Sequence, residues 1–75
     1  MFNTVERVNE LAEEKNMSVS MLCRLSGVNY STLRMANIRN TQLSVDTIER
    51  LCAGMHITFG EFFNKVPEGY EKMTI

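Results

Sequence analysis

Proline occurs once in this chain of 75 residues, at Pro67, and glycine only four times. A β-rich domain of this length needs more turn-formers, and no period-two alternation flanks a Gly-rich turn. Tryptophan is missing, and His56 is the single histidine. With no Gly-rich phosphate cradle beside it, the residue types a catalytic centre draws on are lacking, and no enzymatic arrangement is expected. Cys23 and Cys52 are too few and too isolated for a disulfide framework or a zinc site. Each falls at an apolar helical position and reads as a small buried hydrophobe in a reducing compartment. Neither a cofactor nor a small-molecule substrate is expected. Apolar runs are only a few residues long, too short to span a membrane. Residues 1–7 lack a basic region followed by a long apolar stretch, so no secretory signal and a cytoplasmic location are expected.

The most informative absence is one of sign. The chain carries nine acidic and eight basic residues, for a net charge of −1 and a pI near 5.7. That total argues against a nucleic-acid partner. Yet every acid lies at or before Glu14, or at or after Asp46. Between them stand Lys15, Arg24, Arg34 and Arg39 alone, a local charge of +4. A phosphate backbone responds to the local field, so the middle of the chain can face a polyanion.

What is present reads as five helices in one domain over residues 1–66, followed by a tail over 67–75 that Pro67 and Gly69 interrupt. The length allows no second domain. The first helix starts after Asn3 or Thr4, with Val5, Val8, Leu11 and Ala12 as its apolar stripe and Glu10, Glu13 and Glu14 on a solvated face. Asn16 is a left-handed stop, after which Met17 turns back into the core. Ser18 caps a second helix that points Leu22 and Cys23 inward and ends at Ser26-Gly27, with Val28 packing under the turn. Asn29 caps a third helix over 30–38, whose inner side carries Leu33 and Ala36, and residues 39–43 form a loop. Ser44 caps a fourth helix with Asp46 in its first turn and Ile48, Leu51 and Cys52 inward, closed by Gly54. Thr58 and Glu61 have capping-box spacing and open a short fifth helix bearing Phe62 and Phe63. Two adjacent aromatics cannot both point inward, so one of the pair is available to a partner.

Residues 19–36 carry the functional expectation. Two short helices crossing steeply need a tight turn at Gly27, a small residue at their approach, which is Cys23, and apolar contacts at Leu22, Val28 and Leu33. With those inward, Tyr30, Ser31, Arg34 and Met35 face outward on a helix that fits the major groove of B-DNA.

Met17-Ser18, Leu22-Cys23, Ser26-Gly27-Val28, Ser31-Thr32-Leu33, Thr47-Ile48 and the closing Ile57, Thr58, Glu61, Phe62 and Phe63 resemble the phage Cro/repressor-like, or xenobiotic-response-element type, helix-turn-helix proteins. The likeness runs from about Val5 to Phe63 without insertion. It implies an all-α, compact five-helix lambda-repressor-like DNA-binding domain that acts on double-stranded DNA as a transcriptional regulator, repressor-like and nucleoid-associated. Two departures stand out. The family often has Gly near Asn37 and Arg39 and Pro near Leu43, and this chain has neither, so the loop after the third helix is expected to differ in shape. Carried over by position, Arg34 would read a guanine edge, while Tyr30 and Ser31 would touch a thymine methyl, a base edge or a phosphate, and Met35 would belong to the same DNA-facing side. Asn29 would stand beside them as the cap. Ser18 and Ser20 would offer hydroxyls and amides to a phosphate, and Arg39 and Asn40 would grip the opposite phosphate run. So few contacts per copy imply a homodimer on a short, palindromic site.

Blander readings stand beside these. Arg34 also fits a solvated surface charge, and Met35 fits helix packing against the fourth helix. Phe62 and Phe63 are first core and only then a dimer seam. His56 is a surface loop residue, and Asp46 and Glu49 are helix-start charges. The rival function is a protein-interaction module of the same fold, antitoxin-like or antirepressor-like, with weak or no DNA binding.

Overall fold

Each helix begins where a short polar side chain meets the free amides of a first turn. In a computed structural model describing residues 2–64, the order is α1 (Thr4–Glu14), α2 (Val19–Ser26), α3 (Tyr30–Arg39), α4 (Val45–Met55) and α5 (Phe59–Phe62). Asn3 accepts from the Glu6 amide at 3.0 Å, Ser18 from Met21 at 3.0 Å, Asn29 from Ser31 at 3.1 Å and Ser44 from Thr47 at 3.2 Å. Thr58 and Glu61 close a reciprocal capping box. All five expected caps are in place, and each contributes about 1 kcal/mol. The expected tail over 67–75 lies outside the described residues.

Apolar positions three and four apart on α1, α2 and α4 converge on one core containing Val8, Leu22, Leu51 and Phe62, the most deeply buried side chains. Phe62 takes the inward place at the end of α5, and Phe63 is left half-exposed against Phe2 and Phe59. The side chain of Arg7, only 12% exposed, crosses from α1 to the last turn of α5. Its Nε donates to the Phe62 carbonyl and its Nη2 to the Glu61 carbonyl at 2.9 Å, so a cation caps the negative end of that short helix. Glu10 and Glu14 flank the same guanidinium.

Three expectations need correction. Helix α3 runs to Arg39, one residue past 38, and Asn40 turns left-handed at φ 55°. An asparagine tolerates that conformation, and the Thr41 amide bonds back to the Ala36 carbonyl at 2.9 Å. Helix α4 does not close at Gly54 but continues to Met55, with His56 left-handed at φ 59°. His56, expected as a plain loop residue, is the helix stop. Gly54 serves helix packing instead. A Cβ there would collide with the Ser26 side chain and lie 3.2 Å from Ser26 Cα, so its absence lets α2 and α4 approach.

The loop after α3 is shaped by a polar knot rather than by Gly and Pro. Gln42 Oε1 accepts from the Thr4 amide at 2.9 Å and the Thr4 hydroxyl at 2.8 Å, while Gln42 Nε2 donates to the Phe2 carbonyl at 2.7 Å. The Leu43 amide donates to Thr4 Oγ1 at 2.8 Å. A proline at 43 has no N–H to give, so the missing Pro and the Thr4 bond are one choice. Leu43 is buried, and the start of α1 is thereby stitched to the loop that follows α3.

Candidate nucleic-acid interface

The first turns of α2 and α3 meet over a shallow groove lined by Val5, Asn9, Val19, Tyr30, Leu33, Arg34 and Asn37. Helix α1 contributes Val5 and Asn9 to this groove and no carboxylate, while Glu10, Glu13 and Glu14 gather around Arg7 at another surface. Glu10, Glu13 and Glu14 therefore lie at a different surface from the groove that holds Arg34.

All nine residues singled out from the sequence are exposed: Ser18, Ser20, Asn29, Tyr30, Ser31, Arg34, Met35, Arg39 and Asn40. The structure brings Tyr30 and Arg34 together at the groove, with Val19 beside them at the start of α2. The Val19 and Ser20 amides have no partner among the described residues, as the first two amides of a helix require when nothing caps them. Ser18 Oγ is occupied as an acceptor by the Met21 amide, which leaves its proton to donate. Arg39 and Asn40 stand apart from this group, about 12 Å along the α3 axis from Ser31.

Two chemical details sharpen the outward side of α3. The Ser31 hydroxyl donates to Asn29 Oδ1 at 2.9 Å, so its proton is committed and only its oxygen lone pairs remain to accept. Arg24, Arg34 and Arg39 enter no ion pair among the described residues, whereas Arg50 is held by Asp46 at 3.2 Å and Arg7 by α5 and its glutamates. Among the described residues, the cations without an ion pair are thus those of the acid-free segment.

Sequence reasoning passed over three residues. Ile38 is 64% exposed and lies seven residues after Ser31, near the centre of the outward face opposite Leu33 and Ala36. The helical period alone could have found it. Asn37 and Asn9 flank Tyr30 and Arg34 in the groove, and only Asn37 was reachable from spacing, since Asn9 arrives from another helix. Met35, expected on the outward side with packing against α4 as the blander alternative, is 41% exposed.

Both thiols are buried, and burial raises each above its ordinary value; the Glu61 charge raises Cys52 further. A protonated, enclosed thiol is neither nucleophile nor metal ligand. Among the described residues no cluster of His, Cys, Asp or Glu could hold a metal ion, and no helix is long and apolar enough to cross a membrane.

Comparison with known proteins agrees with this geometry. A family model described as a Cro/C1-type HTH DNA-binding domain matches residues 7–68. No curated protein and no solved structure matches the chain.

Proposed function

Because the chain belongs to the Cro/C1-type helix-turn-helix DNA-binding domain family, we propose that it is a sequence-specific transcriptional regulator, repressor-like, reading a short inverted repeat through α3. The observation that carries the reading is the outward face of α3. It is open to solvent, holds an Arg34 guanidinium with no ion pair among the described residues, and lies in a segment with no acid. In this arrangement α3 enters the major groove and Arg34 makes two bonds to a guanine edge. The free amides of Val19 and Ser20 and the Ser18 hydroxyl hold a phosphate, and Arg39 with Asn40 holds the phosphates at the other end of α3.

One copy offers few base contacts, so two copies occupy two half-sites about 34–36 Å apart. Phe59, the first residue of α5, and Phe63, just past its end, are both exposed with ring centroids 6.5 Å apart, and they are the seam for the second copy. Selection of bound sites from random duplexes, repeated across salt concentrations, tests the function. A palindromic consensus with steeply salt-dependent affinity is expected, and no detectable binding at low salt overturns the reading. Sedimentation with and without Phe63→Ser tests the dimer, which fails if one copy binds each selected site.

The competing reading, a protein-interaction module, draws on Leu25 of α2 and Val45 of α4, both apolar and open to solvent. Capture of a partner protein from host extract that persists after nuclease treatment, with no selected DNA site, would favour it.

A further inference from the structure

The outward face of α3 has an unusual chemical balance for a surface that meets base edges. Four side chains occupy it. With its proton on Asn29, Ser31 accepts, Arg34 only donates, Met35 offers no more than a weak thioether acceptor, and Ile38 does neither. Two of the four are apolar and open to solvent, Ile38 at 64% and Met35 at 41%.

An apolar side chain pressed against a polar base edge removes water from donors and acceptors and returns no hydrogen bond, which is costly. The major groove has one apolar feature, the methyl group at C5 of thymine. A methylated cytosine presents the same group at the same ring position. From these residues we infer that Met35 and Ile38 make the protein a reader of 5-methyl pyrimidines beside the guanine read by Arg34.

The spacing sets where the methyl lies. Met35 follows Arg34 directly, and Ile38 comes four residues later, about 6 Å further along the axis. At about 3.4 Å per base step, that places the methyl one or two base pairs from the guanine. DNA is favoured as the occupant of this apolar face by the charge around it: Arg34 lies within the face and Arg39 follows Ile38, both without ion pairs among the described residues, and no acid occurs between Glu14 and Asp46.

This inference rests on the DNA-binding reading, and the experiment separates their failures. In a selected duplex, each thymine is replaced in turn by deoxyuridine, which removes the methyl and nothing else. Loss of about fourfold in affinity is expected at one or more positions near the guanine, the worth of one buried methyl. Ile38→Ala or Met35→Ala, checked for unchanged thermal unfolding, should then bind the thymine and deoxyuridine duplexes alike. A parallel selection with 5-methylcytosine in place of cytosine identifies the source. Enrichment of methylated positions assigns the contact to modified cytosine, and indifference leaves it with thymine. Specific sites that tolerate every deoxyuridine, with no preference for 5-methylcytosine, overturn the methyl contact alone. Failure to select any duplex overturns the DNA reading beneath it.

Discussion

Arg34 and Arg50 are both exposed cations on helices, and their surroundings separate them. Arg50 is held by Asp46 four residues earlier, while Arg34 has no acid within eleven positions on either side. Replacing Arg34 with alanine should weaken binding to a preferred duplex by about 1–3 kcal/mol and leave non-specific binding less affected. Competition against random DNA at fixed salt measures the difference, and equal loss on every sequence would mean a phosphate contact only. Ser26 presents the opposite situation. Its Oγ is buried with no hydrogen-bond partner among the described residues, wedged where α2 meets Gly54 of α4. Ser26→Ala should therefore raise stability by about 1 kcal/mol, read from urea unfolding, because it removes a desolvated hydroxyl.

Between helices, the close approach of α2 to α4 depends on a hydrogen atom where other residues have a Cβ. Alanine at position 54 has the better helix propensity by about 1 kcal/mol, yet it must push against Ser26. Gly54→Ala should destabilise by about 1–3 kcal/mol, and Ser26→Ala in the same chain should recover part of that loss. Additive effects in this double-mutant cycle would place the strain elsewhere. Helix α5 has only four residues and depends on Arg7 for its carbonyls. Arg7→Met keeps the apolar stem and removes the charged donors, with an expected loss of about 1.5–3 kcal/mol. Amide exchange should show α5 opening before α2 and α4 do.

Helix starts were legible because a cap acts through its own neighbours: Asn3, Ser18, Asn29, Ser44 and Thr58 each bond an amide two or three residues on. Helix ends were less so. Asn40 and His56 adopt a conformation usually given to glycine, and the real glycine at 54 is fixed by Ser26, far away in sequence. The knot of Thr4 and Gln42 joins residues 38 positions apart, and no local pattern announces such a pairing. In the candidate interface, exposed positions on α3 followed from helical period, whereas the contribution of Asn9 required the packing of α1 beside α3.

For the molecule as a whole, both thiols lie inside the single core, and their pKa values are raised above the ordinary 9.0. The folded chain therefore holds these protons more tightly than the unfolded chain does. Stability is fully present below a pH of about 9 and is lost as the pH rises through the folded-state values. Urea midpoints between pH 7 and 10 should fall at the alkaline end, and a variant with both cysteines replaced by alanine should lose that part of the dependence. In the native protein both thiols should resist iodoacetamide until denaturant exposes them.

On α3, Leu33 and Ala36 belong to the core, while Ser31, Arg34, Met35 and Ile38 touch solvent and, apart from the Ser31–Asn29 bond, carry nothing the fold requires. Scaffold and proposed reader thus occupy different sides of one ten-residue helix. If α3 reads DNA as proposed, exchanging those four positions as a set should graft a new target preference onto the domain while leaving its unfolding midpoint unchanged.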